Sequence, residues 1–439
     1  MSFPDRYSYH FYPVGQGLFS TGSIRRHGEG KSRFLWVYDC GSSSSQSLLD
    51  NGIHRLDHFA GARQRIDLLV LSHFDHDHIS GVVRLLEKFK IGTLMLPYMP
   101  LAQRLIIAFE EGSGGADDPL TGFYLNPVAF LLAQEGPGIE RILFVPPSGN
   151  EGPDYPGDIP NPRVPGPEDE PKIDFDLDDR KDTEDLGSLM RADQQGAKNA
   201  AVEFLRRGSR IASASCLWEF IPYNDDPLEP ITLEFENKVA EQREALLSAS
   251  KSDDREKSLK TLKGAYDNYF GAESVERNII SLFLYSGPIY SSWNTCWLTE
   301  GRSMSWPGIW HWHRWPFPEM HRWEPLEPPE EPLRHRCSIL YSGDGYVDTN
   351  DRLQKLVQYL DESRVRRIGV FQVMHHGAEA NWHQGVAAAI SPLFSVFSSD
   401  PERKKWKHPH APVLRDFWRY GAVQVDRNAD FNAAGYLNK

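Results

Sequence analysis

The sequence predicts an α/β fold, and three observations carry that prediction. Short apolar runs of strand length alternate with amphipathic runs of helical period. Several of the apolar runs end in Asp or His instead of an ordinary turn. Of the 439 residues, 40% are hydrophobic, which allows a large core in one domain with insertions or in two domains.

The elements follow in order. "YSYHFYPV" and "LFSTGSI", on either side of Gly15-Gln16-Gly17, read as strands, and "RFLWVYDCG" is a third. "RQRIDLLVLSH" is a continuous apolar run, the pattern of a strand buried on both faces. Val82, Leu85, Leu86 and Phe89 recur at helical spacing. "IGTLMLPYMP" reads as a strand, "LAQRLIIAFEE" and "NPVAFLLAQE" as helices, and "ERILFVPPSG" as a strand. From residue 149 to 192 Pro, Gly and Asp dominate, so an exposed, mobile linker is expected. "RIASASCLWEFIPY" resembles a strand, and the charged stretch 234–270 reads as a solvated helical insertion. Order resumes with the strand "RNIISLFLYSG", then a loop at 293–332 with seven Trp, and the strand "HRCSILYSGDG". The helix "DRLQKLVQYLDE", the strands "RRIGVFQVMHHG" and "SPLFSVFSSD" and the helix "APVLRDFWRYG" complete the chain. The expected organisation is thus a first half at 1–148, a linker and insertion at 149–275, and a second half at 276–439.

Charge and composition bound the function. The net charge is −13, but Glu151–Met190 holds 13 acids and 4 bases, a net of −9 that leaves −4 for the remainder. The global charge therefore does not exclude a polyanionic substrate. No apolar run reaches 18 residues and "MSFPDRYSYHFYP" lacks a signal-peptide core, so a cytoplasmic protein without membrane contact is expected. Cys40, Cys216, Cys296 and Cys337 form no CxxC pair and read as reduced.

Four strands end in side chains that bind metals: Asp39, the cluster His73-x-Asp75-x-Asp77-His78, Asp344 and the pair His375-His376. Alternate residues of an extended loop point the same way, and a turn then brings Asp77 and His78 to a second position. Phe74 and His76 fall out of that phase. His76 therefore reads as substrate-facing or supporting instead of ligating.

Taken together these segments resemble the metallo-β-lactamase fold superfamily, and within it the metallo-β-lactamase-like domain of the DNA-uptake protein ComEC. "PVGQGLF", "YDCG", "HFDHDH", "RNIISLFLYSG", "LYSGDG", "VMHHG" and "KKWKHPHAPVL" resemble that family's motifs in the same order, over roughly residues 8–145 and 277–420. The resemblance implies a four-layer αββα sandwich with a large insertion, its metal cluster at one edge. It implies that Asp39 orients the ligand loop without ligating. His73, Asp75, Asp77 and His78 would bind two divalent ions bridged by Asp344, with one of His375 and His376 as a further ligand and the other supporting it or touching substrate. No histidine lies between residues 79 and 310, so Asp75 stands where imidazole is usual. A mixed His/Asp set suits Mn²⁺ or Zn²⁺.

The implied activity is phosphodiester hydrolysis by water activated between the ions, with nucleic acid as the expected substrate. Asp77, Asp344 and His408 would be its catalytic residues. His408, His410 and Lys405 sit among further cations and would bind a phosphate, against the plainer reading of a solvated basic loop. Asn278 and Ser281 read either as strand caps or as substrate contacts. The Trp-rich loop would stack bases, pack on the domain, or offer with the insertion a surface for a protein partner. Two other functions stand beside the nuclease: a small-molecule phosphodiesterase, esterase or lactonase, and a binding subunit with a vestigial site. By analogy alone, a free-standing cytosolic nuclease fits a bacterial defence system.

Overall fold

The computed structural model describes residues 5–25, 33–110, 120–149, 151–153, 173–178, 200–213, 217–225, 233–247, 252–270, 281–289, 295–301, 335–403 and 407–438. Its strands follow the alternation in the sequence. In β1 (Asp5–Phe11), Tyr7, Tyr9 and Phe11 turn inward and Arg6, Ser8 and His10 turn outward. In β4 (Arg65–Val70) both faces are apolar. Leu68 and Val70 enter the core between two sheets, and Ile66 and Leu69 enter the core beneath the helices.

Among the described residues the first sheet runs β12 (Thr295–Gly301), β17 (Phe431–Asn438), β1, β2 (Phe19–Arg25), β3 (Arg33–Cys40), β4, β5 (Lys90–Pro97), β6 (Ile139–Val145), β8 (Ala201–Phe204). It is antiparallel as far as β3 and parallel from β3 to β8. The second runs β16 (Ala422–Val425), β15 (Phe394–Ser398), β14 (Ile368–Gln372), β13 (Ser338–Tyr341), β11 (Leu282–Pro288), β10 (Trp218–Asn224), β9 (Ile211–Ser213), β7 (Asp174–Phe175). Its first four strands are parallel and the others antiparallel. The sheets enclose one core, which includes Tyr9, Trp36, Val70, Trp218, Leu284 and Ile339. Helices Gln46–Ala60 and Val82–Lys88 cover the outer face of the first sheet through Leu49, Ile53, Leu85 and Leu86. Helices Asn350–Leu360 and Ala411–Phe417 cover the second through Leu353, Leu356, Val413 and Phe417. The result is the expected four-layer αββα sandwich. It sets the carboxyl ends of β3 and β4 beside those of β13 and β14, where open α/β sheets bind ligands.

The range 149–275 enters this framework more deeply than a linker and insertion would. It supplies β7, β9 and β10 to the second sheet and β8 to the first. Every residue of β10 is buried. Trp218 and Phe220 face the inter-sheet core, and Ile221 and Tyr223 face the helical layer. Glu219 is buried between them because Arg364, itself fully buried, bonds it at 2.9 Å. The helices Leu233–Leu247 and Ser252–Phe270 are not solvated all round either. Phe235, Val239, Leu259 and Leu262 pack with Leu105, Ile106 and Phe109 of helix Leu101–Glu110.

Other expectations met different ends. Most of the acidic linker and most of the Trp-rich stretch 293–332 lie outside the described residues, but residues 295–301 of that stretch form strand β12 and not a loop. Cys40 is a buried free thiol, but Cys337 is disulfide-bonded, which corrects the reading of all four cysteines as reduced. Among the described residues no helix is long and apolar enough to cross a membrane.

Candidate metal centre

The site is built where strands stop. After β4 the chain runs without ladder partners from Ser72 to Asp75 and then turns into helix His76–Ile79. His73, Asp75 and His78 are buried, Asp77 is half-buried and His76 is exposed. Asp344 follows β13 in a turn made tight by Gly343, at φ +52°. A Cβ on Gly343 would lie 2.4 Å from the Ser281 hydroxyl, so a side chain there has no space. The Gln372 side chain holds the same turn, accepting from the Ser342 and Gly343 amides at 2.8 and 2.7 Å. Ser281 Oγ accepts from the Asp344 amide at 3.1 Å, a structural contact for a residue expected to cap a strand or touch substrate.

His375 and His376 follow β14 with φ of +43° and +57°, a left-handed pair that non-glycine residues seldom form. This turn lets two adjacent rings face the same cluster. Such backbone costs about 1–3 kcal/mol per residue and concentrates at functional sites.

One pattern unites the four histidines. Each ring ties Nδ1 to a partner and leaves Nε2 facing the carboxylates. His73 Nδ1 meets Ser72 Oγ at 2.8 Å, and His78 Nδ1 meets Asp39 Oδ2 at 2.7 Å. His375 Nδ1 meets Asn381 Oδ1 at 2.7 Å, and His376 Nδ1 meets the Ser398 carbonyl at 2.6 Å. This is how metal-ligating histidines are held. The buried Nε2 atoms of His73, His78 and His376 make no well-directed hydrogen bond among the described residues.

Asp344 divides the cluster. Its Oδ1 lies 3.1 Å from His78 Nε2 and 3.8 Å from His376 Nε2. Its Oδ2 lies 3.5 Å from His375 Nε2 and 3.7 Å from His73 Nε2. Asp75 joins the second group, 3.7 Å from His73 Nε2. Asp77 joins the first, 3.2 Å from His376 Nε2 and 3.9 Å from His78 Nε2. Two ligand sets of metal-binding dimensions result, His73-His78-Asp344 and Asp77-His78-His376, each with donor atoms within 4.8 Å of one another. They share His78. Grouping by the two oxygens of Asp344 places His78 with Asp77 and His376, because His78 Nε2 lies 3.1 Å from Oδ1. A dense set of buried imidazoles and carboxylates suits a divalent cation of mixed N/O preference.

The electrostatics follow from this crowding. Burial alone would raise the Asp344 carboxyl, but His375, His78 and His376 outweigh it and hold it well below the usual range. Asp77 is likewise held down, against burial, chiefly by His376 and His78. Burial and the neighbouring His78 keep His73 neutral, with a pKa well below the usual value. Burial lowers His78 too, but Asp344 and Asp39 prevail and raise it well above the usual value. Asp39 is raised by burial despite its bonds to His78 and Ser72. It takes the Ser72 amide at 2.7 Å and the Ser72 hydroxyl at 2.6 Å, so it orients both ends of the ligand loop.

The remaining sequence candidates spread outward. The His408 ring stacks on His376 with centroids 6.1 Å apart and lies 5.7 Å from His375. Burial, then His376, His375 and His410, lower it to about 3, so it is a neutral ring at neutral pH. His410 accepts a hydrogen bond from the Glu379 amide at 3.0 Å, next to the same loop. Lys405 and Asn278 lie outside the described residues. The sequence reading did not single out Ser72, Asn381, Ser398 or Gln372. Only Ser72, lying between a strand and the first histidine, had a local signal.

The ligand loop lies within the part of the chain that matches a known family. Residues 32–98, which contain β3, β4 and the ligand loop, match the family model described as Metallo-beta-lactamase superfamily. The two-sheet sandwich is the fold of that class. A search of the curated proteins gives no match. Among solved structures, a long form RNase Z from yeast is similar at 10% identity and a TM-score of 0.20, over 52% of this chain and 28% of that chain. The chain thus corresponds to little more than a quarter of that protein's length.

Proposed function

We propose that this protein is a metal-dependent hydrolase of phosphodiesters with nucleic acid as its substrate. The observation that carries the reading is the common orientation of four histidines, Nδ1 anchored and Nε2 turned toward Asp75, Asp77 and Asp344. The match of residues 32–98 supports the hydrolase class. The order of motifs resembling a DNA-uptake domain supports nucleic acid over a small phosphodiester.

His73, Asp75, His375 and Asp344 would hold one divalent ion, Mn²⁺ or Zn²⁺, and Asp77, His78, His376 and Asp344 a second. Bound ions would supply Lewis acidity to a phosphoryl oxygen and acidity to a water molecule. The chain does the remainder. Asp344 offers one oxygen to each half of the site, and Asp77 adds charge to one half. Asp39 keeps the Nδ1 face of His78 occupied, so its Nε2 lone pair stays available. His408, neutral and beside His375 and His376, donates a hydrogen bond to the phosphoryl or leaving oxygen without adding charge. His76, exposed next to Asp77, faces arriving substrate.

The test uses chelator-treated protein returned to Mn²⁺, Zn²⁺ or Mg²⁺. It is offered labelled single- and double-stranded DNA and RNA, and a small chromogenic phosphodiester. Metal-dependent cleavage of a nucleic acid is expected, lost in Asp77→Asn and in Asp344→Asn with far-UV circular dichroism unchanged. Cleavage of the small ester alone would shift the substrate to small phosphodiesters. Wild-type activity in Asp344→Asn would overturn the reading.

A further inference from the structure

The ligand loop is held from a side that the proposed chemistry does not use. Between His73 and Asp75 the peptide carbonyl of Phe74 is held by a buried side chain. It accepts the hydroxyl proton of Tyr124 at 2.8 Å, across a sequence separation of 50 residues. The Phe74 ring is buried beside it, edge-on to Phe123 at 4.8 Å. Tyr124 is fully buried in the short helix Thr121–Leu125, and that helix is fixed by Arg104. The Arg104 guanidinium, 3% exposed, donates to the carbonyls of Tyr124 at 2.8 Å, Leu125 at 3.3 Å and Met99 at 2.8 Å. Carbonyls at a helix C-terminus lack partners inside the helix, so a fork that satisfies two of them sets the helix position along its axis. Arg104 thereby sets the position of the Tyr124 hydroxyl.

We propose that Tyr124 is a positioning residue for the metal site. Through the Phe74 carbonyl it fixes the peptide joining His73 to Asp75, and Arg104 holds it in place. The physical reason lies in the loop. After Leu71 donates to the Met95 carbonyl at 3.0 Å, the chain leaves the sheet. Asp39 anchors Ser72 at the start of the loop and the His78 ring at its end. The next turn is tied by the His78 amide bonding to the Asp75 carbonyl at 3.0 Å. Between these anchors the Tyr124 bond holds the Phe74 carbonyl, and with it the plane of the Phe74–Asp75 peptide. Rotation there would swing the Asp75 carboxylate relative to His73 Nε2, now 3.7 Å away. Tyr124 bonds to the Phe74 backbone, so its effect on metal affinity would pass through the geometry of the loop.

The inference rests on the metal reading, and the experiment separates the two. Full-length wild type, Tyr124→Phe and Arg104→Lys are stripped with chelator and titrated with cobalt(II). Visible absorption reports ligand geometry and the dissociation constant, and the metal-free proteins are melted in parallel. Tyr124→Phe keeps the buried ring and removes only the donor. A rise in its cobalt dissociation constant of about tenfold, the size found when partners of metal ligands are lost, is expected. An altered visible spectrum and metal-free melting within about 4 °C of wild type should accompany it. Arg104→Lys should move affinity in the same direction by less, and it decides the matter if Tyr124→Phe does not fold. Reduced melting with unchanged cobalt affinity and spectrum would make Tyr124 a packing residue and overturn the proposal. If wild type takes up no cobalt, the metal reading fails and this inference with it; if wild type binds and both variants match it, only this inference fails.

Discussion

Replacing Asp39 by asparagine tests how the site holds its histidines. The carboxylate accepts three hydrogen bonds: from the Ser72 amide at 2.7 Å, the Ser72 hydroxyl at 2.6 Å and His78 Nδ1 at 2.7 Å. An amide can keep its oxygen toward the Ser72 N–H. Its NH₂ group then stands where the second oxygen was, and a donor meets the donor at His78 Nδ1. The ring escapes by moving its proton to Nε2, the atom 3.1 Å from Asp344. That tautomer stays buried and nearly as stable, but its inward nitrogen has lost the lone pair a metal needs. Loss of a hydrogen bond to a charged group costs about 1.5–3 kcal/mol. Relief of a buried carboxylate offsets part of this, leaving about 1–2 kcal/mol off the metal-free fold. Metal affinity should fall about 10–100-fold, as for other partners of ligating histidines. Calorimetric titration of stripped protein with Zn²⁺ measures the second quantity, and urea unfolding measures the first. Affinity within about twofold of wild type, far from the usual loss, would refute the tautomer reasoning.

Two further predictions concern the framework. Glu219→Ala removes the carboxylate paired with the buried Arg364 guanidinium, which also bonds Asp361 and the Pro153 and Leu360 carbonyls, so it should cost about 3 kcal/mol, the low end for breaking a buried pair. A loss below about 1 kcal/mol in urea unfolding, the range of surface pairs, would mean the pair adds no more than those do. Glu140 is pulled down to about 2 by its hydrogen bonds from Arg65, with burial opposing and Lys90 assisting. A depressed carboxyl adds stability above its unfolded pKa, near 4.5, and loses it as pH falls through about 2. Wild type should therefore exceed Glu140→Gln by less than about 1 kcal/mol at neutral pH, the pair being solvent-screened. The gap should close across that acid window in unfolding midpoints, and one that is constant with pH would contradict the ion-pair account.

Much of the fold and of the candidate site was legible because it is written locally. A strand buried on both faces shows as the run Leu68–Leu71, and the in-phase pair His73 and Asp75 shows as alternation in an extended loop. Asp39, Asp344, His375 and His376 were visible because each follows an apolar run of strand length. Tertiary structure alone decided three other matters. It turned both His375 and His376 inward, through left-handed backbone that sequence did not announce before Gly377. It decided which nitrogen of each ring faces the carboxylates by supplying Asp39, Ser72, Asn381 and the Ser398 carbonyl to the other. Asp39 is 39 residues from the ring it orients, and the Ser398 carbonyl is 22 from its own. It also drew β7 and β8 out of a stretch that reads as linker and insertion, and it split the strand read at 210–223 into β9 and β10 of the second sheet. Hydrophobic period is a property of neighbours along the chain, so it reveals that a strand exists. Which strand lies beside it, and which polar atom meets which ring nitrogen, depends on contacts between distant segments, and those exist only once the two sheets have closed on each other.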